Sequence, residues 1–231
     1  MRLDDCVIRD GTIDDYASLE RFHYRAGPPA TIARVLCARD ARTDERLGVL
    51  VVSNPTLNGR WRDIAWPGER PTDKAASAAW LNREVRCISR VIVDPRARGR
   101  SIATSLVRAY LSHPDTPKTE AIAAMGGACP FFASAGMREV GIARTARDES
   151  LARSLARAGL RAPQCADLSL VRRRLSRSPM LRRDVDRWAR ASRATSRWCD
   201  GDREVSVERL AELVCLGAGG IVCPPRVFVS P

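Results

Sequence analysis

The chain has 231 residues, enough for one large domain or for one ordinary domain with an appendage, and 45% of them are hydrophobic. No stretch approaches the roughly 18 consecutive apolar residues of a membrane span. Met1-Arg2-Leu3-Asp4-Asp5 leads into no long apolar run, so a secretion signal is not expected and the chain is read as a cytoplasmic protein.

The formal net charge of +12 rests on 39 basic residues, of which only Lys74 and Lys118 are lysines. Arginine-favouring codon usage explains that ratio but not the net excess. A surface of planar guanidinium forks attracts polyanions, either nucleic acid or a phosphorylated cofactor. The cysteines, at 6, 37, 87, 129, 165, 199, 215 and 223, form no close CxxC pair and are read as reduced. Only His23 and His113 could join them in a zinc site, and they lie far apart, so no metal is expected.

In chain order, Cys6 to Arg9 reads as a strand and Asp14 to Tyr24 as a first helix, ended by "RAGPPA". Thr31 to Cys37 and Leu47 to Val52 are apolar, β-branched runs around a charged turn, a hairpin pattern. "NPTLNGRWRDIAWPGERPTD" is a long irregular loop, the kind that often carries function. Thr72 or Asp73 can cap a helix over "KAASAAWLNR", and Val85 to Val93 follows as a strand. A helix begins at Ser101 with Ile102, Leu106, Val107 and Leu111 on its buried face. A strand near 119 to 125, a short helix over "CPFFASAG" and a strand over "MREVGIA" complete an alternating α/β pattern to about residue 145.

Beyond that point the composition changes. Ala146 to Pro231 carries 17 arginines against 10 acids, and ten of those arginines lie between Arg172 and Arg197. Leu151, Leu155, Leu168, Leu175, Leu181 and Trp188 point to helices, so residues 1–145 are assigned to the α/β domain and 146–231 to a basic, mainly helical extension. The ending "GAGGIVCPPRVFVSP" is read as a loosely ordered tail or a single docked strand.

The corner "VDPRARGRSIAT" joins the strand ending at Val93 to the helix, and so sets backbone amides at a helix N-terminus among arginines, a natural place for phosphate. It lacks both the Gly-Lys-Ser/Thr of a P-loop and the GxGxxG fingerprint. It resembles the pyrophosphate-binding turn of the GNAT superfamily of N-acetyltransferases, Val-x-Pro-x-x-Arg-Gly-x-Gly-Ile-Gly/Ala. Val93, Pro95, Arg98, Gly99, Ile102 and Ala103 match that pattern, while Ser101 stands where glycine is usual. "PFFASAGMREV" is similar to the helix and strand flanking the thiol arm of coenzyme A in the same family.

The resemblance covers roughly residues 5 to 145. It implies a mixed central sheet flanked by helices, of α/β (α+β) class, with acetyl-CoA or another acyl-CoA as cofactor. Val91, Val93, Arg98, Gly99, Arg100, Ser101, Ile102, Ala103, Thr104 and Phe132 are the positions it assigns to the cofactor. "YRAGPPATIARV", "NPTLNGR", "LNREVRCISRVIVDP" and "EAIAAMGGACPFFASAGM" look like the GNAT-like domain attached to certain ABC-type ATPases. "FHYR" and "CISRV" are faintly similar to phage DNA-modification proteins of the Mom type, which alter adenine in DNA.

Acyl transfer needs a deprotonated amine, a polarised carbonyl and a proton for the leaving thiolate. The tyrosine that many GNAT enzymes use for the last step is replaced here by Phe131 and Phe132. His23 and Tyr24 are candidates on the acceptor side, against a capping histidine beside a packed tyrosine. Ser89 and Arg90 lie on the strand that approaches the cofactor, where Arg90 could equally be an exposed residue. Cys87 is a nucleophile or core.

Trp61, Trp66 and Trp80 with Arg60, Arg62 and Arg70 could form a lip for an unstacked base or anchor the long loop. Arg172, Arg173, Arg174, Arg182 and Arg183 are candidate nucleic-acid contacts. The reading is an acyl-CoA-dependent acyltransferase with a nucleic-acid base, favoured as an adenine amine in DNA, as acceptor. A conventional N-acetyltransferase or a non-catalytic nucleic-acid-binding module is the alternative.

Overall fold

A computed structural model describes residues 6–23, 27–124, 126–127, 129–141, 144–191, 195–199, 205–222 and 225–230. The chain divides into two compact units, one formed by Met1–Ile142 with Arg226–Pro231 and the other by Ala143–Pro225. Among the described residues no helix is long and apolar enough to cross a membrane.

The first unit is built on a seven-stranded sheet. Strands β1 (Cys6–Asp10), β2 (Arg34–Asp40), β3 (Arg46–Ser53) and β4 (Val85–Val93) pair antiparallel in sequence order. Strand β5 (Lys118–Ala123) joins β4 in parallel, the one parallel pairing among the described residues, and β7 (Arg226–Val229) lies between β5 and β6 (Arg138–Val140). The fold is therefore mixed α/β around a mostly antiparallel sheet. Parallel neighbours need a crossover, and α4 (Ile102–Ser112) supplies it.

Side-chain alternation sorts the helices onto two faces. Leu36 and Ala38 of β2 share a buried cluster with Leu106, Val107 and Tyr110 of α4 and with Phe132 of α5 (Phe131–Ser134). The intervening Val35 and Cys37 pack instead with Tyr16 and Leu19 of α1 (Ile13–Leu19). That period of two is what a strand covered on both faces requires. Further along the second face, Ala65 of α2 (Trp61–Ala65) and Trp80 and Leu81 of α3 (Lys74–Glu84) pack on Val85, Val227 and Val229. Thr12 and Asp15 close a capping box at α1, and the Asp73 carboxylate accepts from the Ala76 amide at 2.8 Å to start α3.

The second unit is helical: α6 (Ala146–Arg157), α7 (Ala162–Cys165), α8 (Leu168–Arg177), α9 (Pro179–Ala191) and α10 (Val207–Val222). Leu151, Leu155, Val171, Leu175, Val185, Trp188 and Leu210 form its core. It is an insertion in the chain between β6 and β7, not a terminal extension, which corrects the division at 145/146. The chain's last strand returns to the sheet because Val227, Phe228 and Val229 bury completely between β5 and β6. Residues 217–220, turn-like in sequence, are helical: a Cβ at Gly217 would stand 2.6 Å from Trp188 Cη2, so the glycine lets that ring lie against α10.

Candidate functional site

The site begins where the sheet opens. The parallel register between β4 and β5 runs from Val85↔Lys118 to Ile88↔Ala121 and stops there. Past that point Ile122 and Ala123 pair only with β7, while Arg90 to Val93 pair only with β3. The β3–β4 ladder slips between Val51 and Val52, which face Arg90 and Ile88, so Ser89 is the extra residue of a β-bulge. A bulge bends and twists its strand, and here the bend coincides with the parting of β4 from β5.

Between the parted strands lies a cleft of about 520 Å³, walled by Ser89–Val93, Ile122, Ala123, Phe22, His23, Arg98, Ala103, Gly126, Cys129, Phe131 and Phe132. The Asp94 amide donates to Leu47 O at 2.9 Å, so backbone groups of even-numbered residues in this stretch turn toward β3. By alternation those of Val91 and Val93 turn toward the cleft. The Val93 carbonyl accordingly accepts from Arg98 Nε at 3.4 Å.

The corner after β4 closes one end. The Asp94 side chain accepts from the Arg96 amide, Nε and Nη2 at 2.8 to 3.0 Å, and these bonds hold its carboxyl below the usual carboxylate range. Pro95 to Ala97 form a single 3₁₀ turn. Gly99 then takes φ +78°, with open space where a Cβ would stand.

Ser101 takes φ +59°, the left-handed region that glycine favours, at a cost of about 1–2 kcal/mol. It gives no side-chain bond to the first turn of α4, so the helix begins without a cap of its own. Ile102 is buried in the core and offers only its backbone, while Ala103 reaches the cleft wall. Thr104, one residue further, is half-buried.

The other end of the cleft carries the acceptor-side candidates. His23 is half-buried on the wall, and its amide donates to Glu20 O at 2.9 Å. Tyr24 lies outside the described residues. Arg90, expected to be either functional or exposed, is buried at 7% exposure. Ser89 Oγ is 2.6 Å from Ser53 Oγ and donates to Val51 O at 3.2 Å.

Phe132 stacks on Phe228 at 5.3 Å and fills the wall beneath Phe131. Cys129, an exposed thiol on the wall just before α5, had no signal in the sequence beyond being a lone cysteine among turn residues. Among the described lining residues the protic side chains are His23, Ser89, Arg90, Arg98 and Cys129. Burial and the Glu120 carboxylate push the Cys87 thiol up to about 12, which disfavours the thiolate that a nucleophile requires.

On the long loop the expectation for Arg62 fails, and of the two readings of the tryptophans the loop anchor holds. Arg62 is not a nucleic-acid contact: it is 0% exposed and forks onto Glu120, with Nε to Oε2 at 2.8 Å and Nη2 to Oε1 at 2.7 Å. Trp61 Nε1 donates to the same carboxylate at 2.8 Å, and Trp66 and Trp80 are buried in the core, so the aromatics anchor the loop and do not form an open lip. Arg60 remains exposed, while Arg70 is held by Asp63 at 2.8 Å.

In the helical unit Arg172 pairs with Glu208 at 2.9 Å and Arg182 is half-buried. Arg173, Arg174 and Arg183 are exposed and make no ion pair or hydrogen bond among the described residues. No group of His, Cys, Asp and Glu among the described residues could hold a metal ion. A scan against protein-family models finds no match to the chain, and a search of curated proteins finds none.

Proposed function

We propose that the chain is an acyl-CoA-dependent N-acyltransferase of the GNAT type whose acceptor amine belongs to a nucleic-acid base, with an adenine amine in DNA favoured. The observation that carries the enzymatic part is the cleft at the Ser89 bulge, opened between two parallel strands and ending at the uncapped start of α4. A diphosphate fits that corner. Gly99 leaves room for close approach to the backbone, the first-turn amides of α4 lack a side-chain cap, and Arg98 and Arg100 stand on the turn.

Bound coenzyme A would bring an activated acyl thioester. The chain's own contributions are separate from it. The Val91 and Val93 amides turn toward the cleft, where donors can meet developing negative charge on an oxygen. His23 lines the same wall, and its imidazole would take the proton that the acceptor's neutral amino group loses as the N-acyl bond forms and the thioester C–S bond breaks. Phe131 and Phe132 exclude water from the wall that the tyrosine would occupy in the family, leaving the Cys129 thiol as the protic group there.

A nucleic-acid acceptor draws support from the +12 charge and from the exposed Arg173, Arg174, Arg177 and Arg183, which make no ion pair among the described residues. The second reading, a conventional N-acetyltransferase, is favoured by the burial of Arg62, Trp66 and Trp80. Digesting DNA and RNA from expressing cells to nucleosides and weighing them by mass spectrometry separates the two. A new acylated base, lost in His23→Ala, is the expected result. Unmodified nucleosides together with acylated protein or small amines would give the second reading.

A further inference from the structure

At the end of the cleft opposite the α4 corner, a guanidinium is buried without a counter-ion. Arg90 is 7% exposed and lines the cleft. Its Nη1 donates to Ser89 O at 2.8 Å and its Nη2 to Gly27 O at 3.4 Å, while Nε has no partner. Among the described residues no carboxylate pairs with it. The sheet carboxylates Glu120 and Asp94 are already held, Glu120 by both arms of Arg62 and Asp94 by Arg96.

Arginine cannot shed its proton to relieve such burial, and neutral carbonyls compensate a full charge only in part. A clamp on the Gly27 turn alone would be served as well by a neutral donor, since Tyr16 Oη already donates to the same carbonyl at 3.2 Å. The burial, the unpaired Nε and the position on the wall all call for an anion that arrives from solution.

We infer that Arg90 is the recognition residue for an oxyanion carried by the substrate, a carboxylate or a phosphate, bound beside Ser89 and His23. This deepens the proposed function and rests on it only in naming this end of the cleft the acceptor end. The same chemistry has two sources: the carboxylate of a small substrate, or the phosphate that flanks a base in a polynucleotide. Arg90 positions the acceptor through this charge and takes no part in proton transfer.

The test uses the full chain and the ¹H–¹⁵N resonance of Arg90 Nε, assigned by its disappearance in Arg90→Lys or, if that variant does not fold, by through-bond correlation in the wild type. Acetate, inorganic phosphate and the dinucleoside monophosphate ApA are titrated at constant ionic strength. A saturable shift of Nε is expected in the wild type, and the affinity, read in wild type and variants alike from the backbone amide of Val91 on the same wall, should fall about tenfold in Arg90→Gln and stay unchanged in Arg83→Gln on the α3 surface. Preference for acetate identifies a carboxylate substrate, and preference for phosphate or ApA a phosphate-bearing one. A resonance unmoved by all three probes, or equal affinity in wild type and Arg90→Gln, overturns the inference. Coenzyme A titrated into the same samples keeps the two proposals apart, because loss of its binding leaves an Arg90 shift standing and the reverse also holds.

Discussion

The sheet unit and the helical insertion are both rich in arginine and use it in opposite ways. In the sheet unit the guanidinium groups are mostly spoken for: Arg62 by Glu120, Arg96 by Asp94 and Glu45, Arg39 and Arg46 by Asp15, Arg34 by Asp10 and Asp115. Arg90 and Arg98, the two on the cleft wall, have no carboxylate among the described residues. In the insertion the amphipathic helices α8 and α9 bury Val171, Leu175, Leu181 and Val185 and turn Arg173, Arg174, Arg177 and Arg183 to solvent. Net charge therefore does not say which arginines are available to a ligand. Pairing and burial do, and they single out a narrow cleft in one unit and an open helical face in the other.

The comparison is broken most severely by removing an anion from the sheet unit. Glu120→Ala leaves a fully buried guanidinium without its partner and costs about 3–5 kcal/mol in denaturant titration. A loss below about 1 kcal/mol would mean that water reaches Arg62. Gly217→Ala tests the insertion alone, since the added methyl meets the Trp188 ring and overpacking of this kind costs about 1–3 kcal/mol. Calorimetric unfolding should show that loss without the sheet unit's share.

Ser101→Gly acts in the opposite direction. Relief of the left-handed backbone at φ +59° should stabilise the chain by about 1 kcal/mol, and unchanged stability would show that the serine hydroxyl compensates. The smallest effect on stability belongs to the quadruple variant R173Q/R174Q/R177Q/R183Q, expected within about 0.5 kcal/mol of wild type because among the described residues these exposed side chains make no ion pair or hydrogen bond. Its DNA affinity should nonetheless become less salt-dependent, the slope of log K against log salt falling by about 3 to 4. An unchanged slope would remove this face from the nucleic-acid interface.

What could be read from the sequence was local. Val85–Val93 was legible as a strand and Ile102–Ser112 as a helix because apolar periodicity and the Pro95 and Gly99 breaks are written within a few residues. The bulge at Ser89 was not, because an extra residue exists only relative to the register of β3. Arg62 looked like a surface contact because its partner Glu120 lies 58 positions away. Strand β7 could be read either as a loose tail or as a docked strand, because both of its neighbours, β5 and β6, precede the whole insertion.

In the site, the corner around Arg98 and Gly99 was visible as a motif. The buried state of Arg90 and the presence of Cys129 on the wall depend on the loop at Gly27 and on the turn before α5, neither of which has a pattern of its own.

Calorimetric titration of the full chain with coenzyme A tests the central claim most directly. Saturable, one-to-one binding is expected, weakened at least about tenfold by Gly99→Val, whose side chain would occupy the open space at the turn. Absence of heat with coenzyme A and acetyl-CoA alike, from a chain whose circular dichroism shows it folded, would contradict the account.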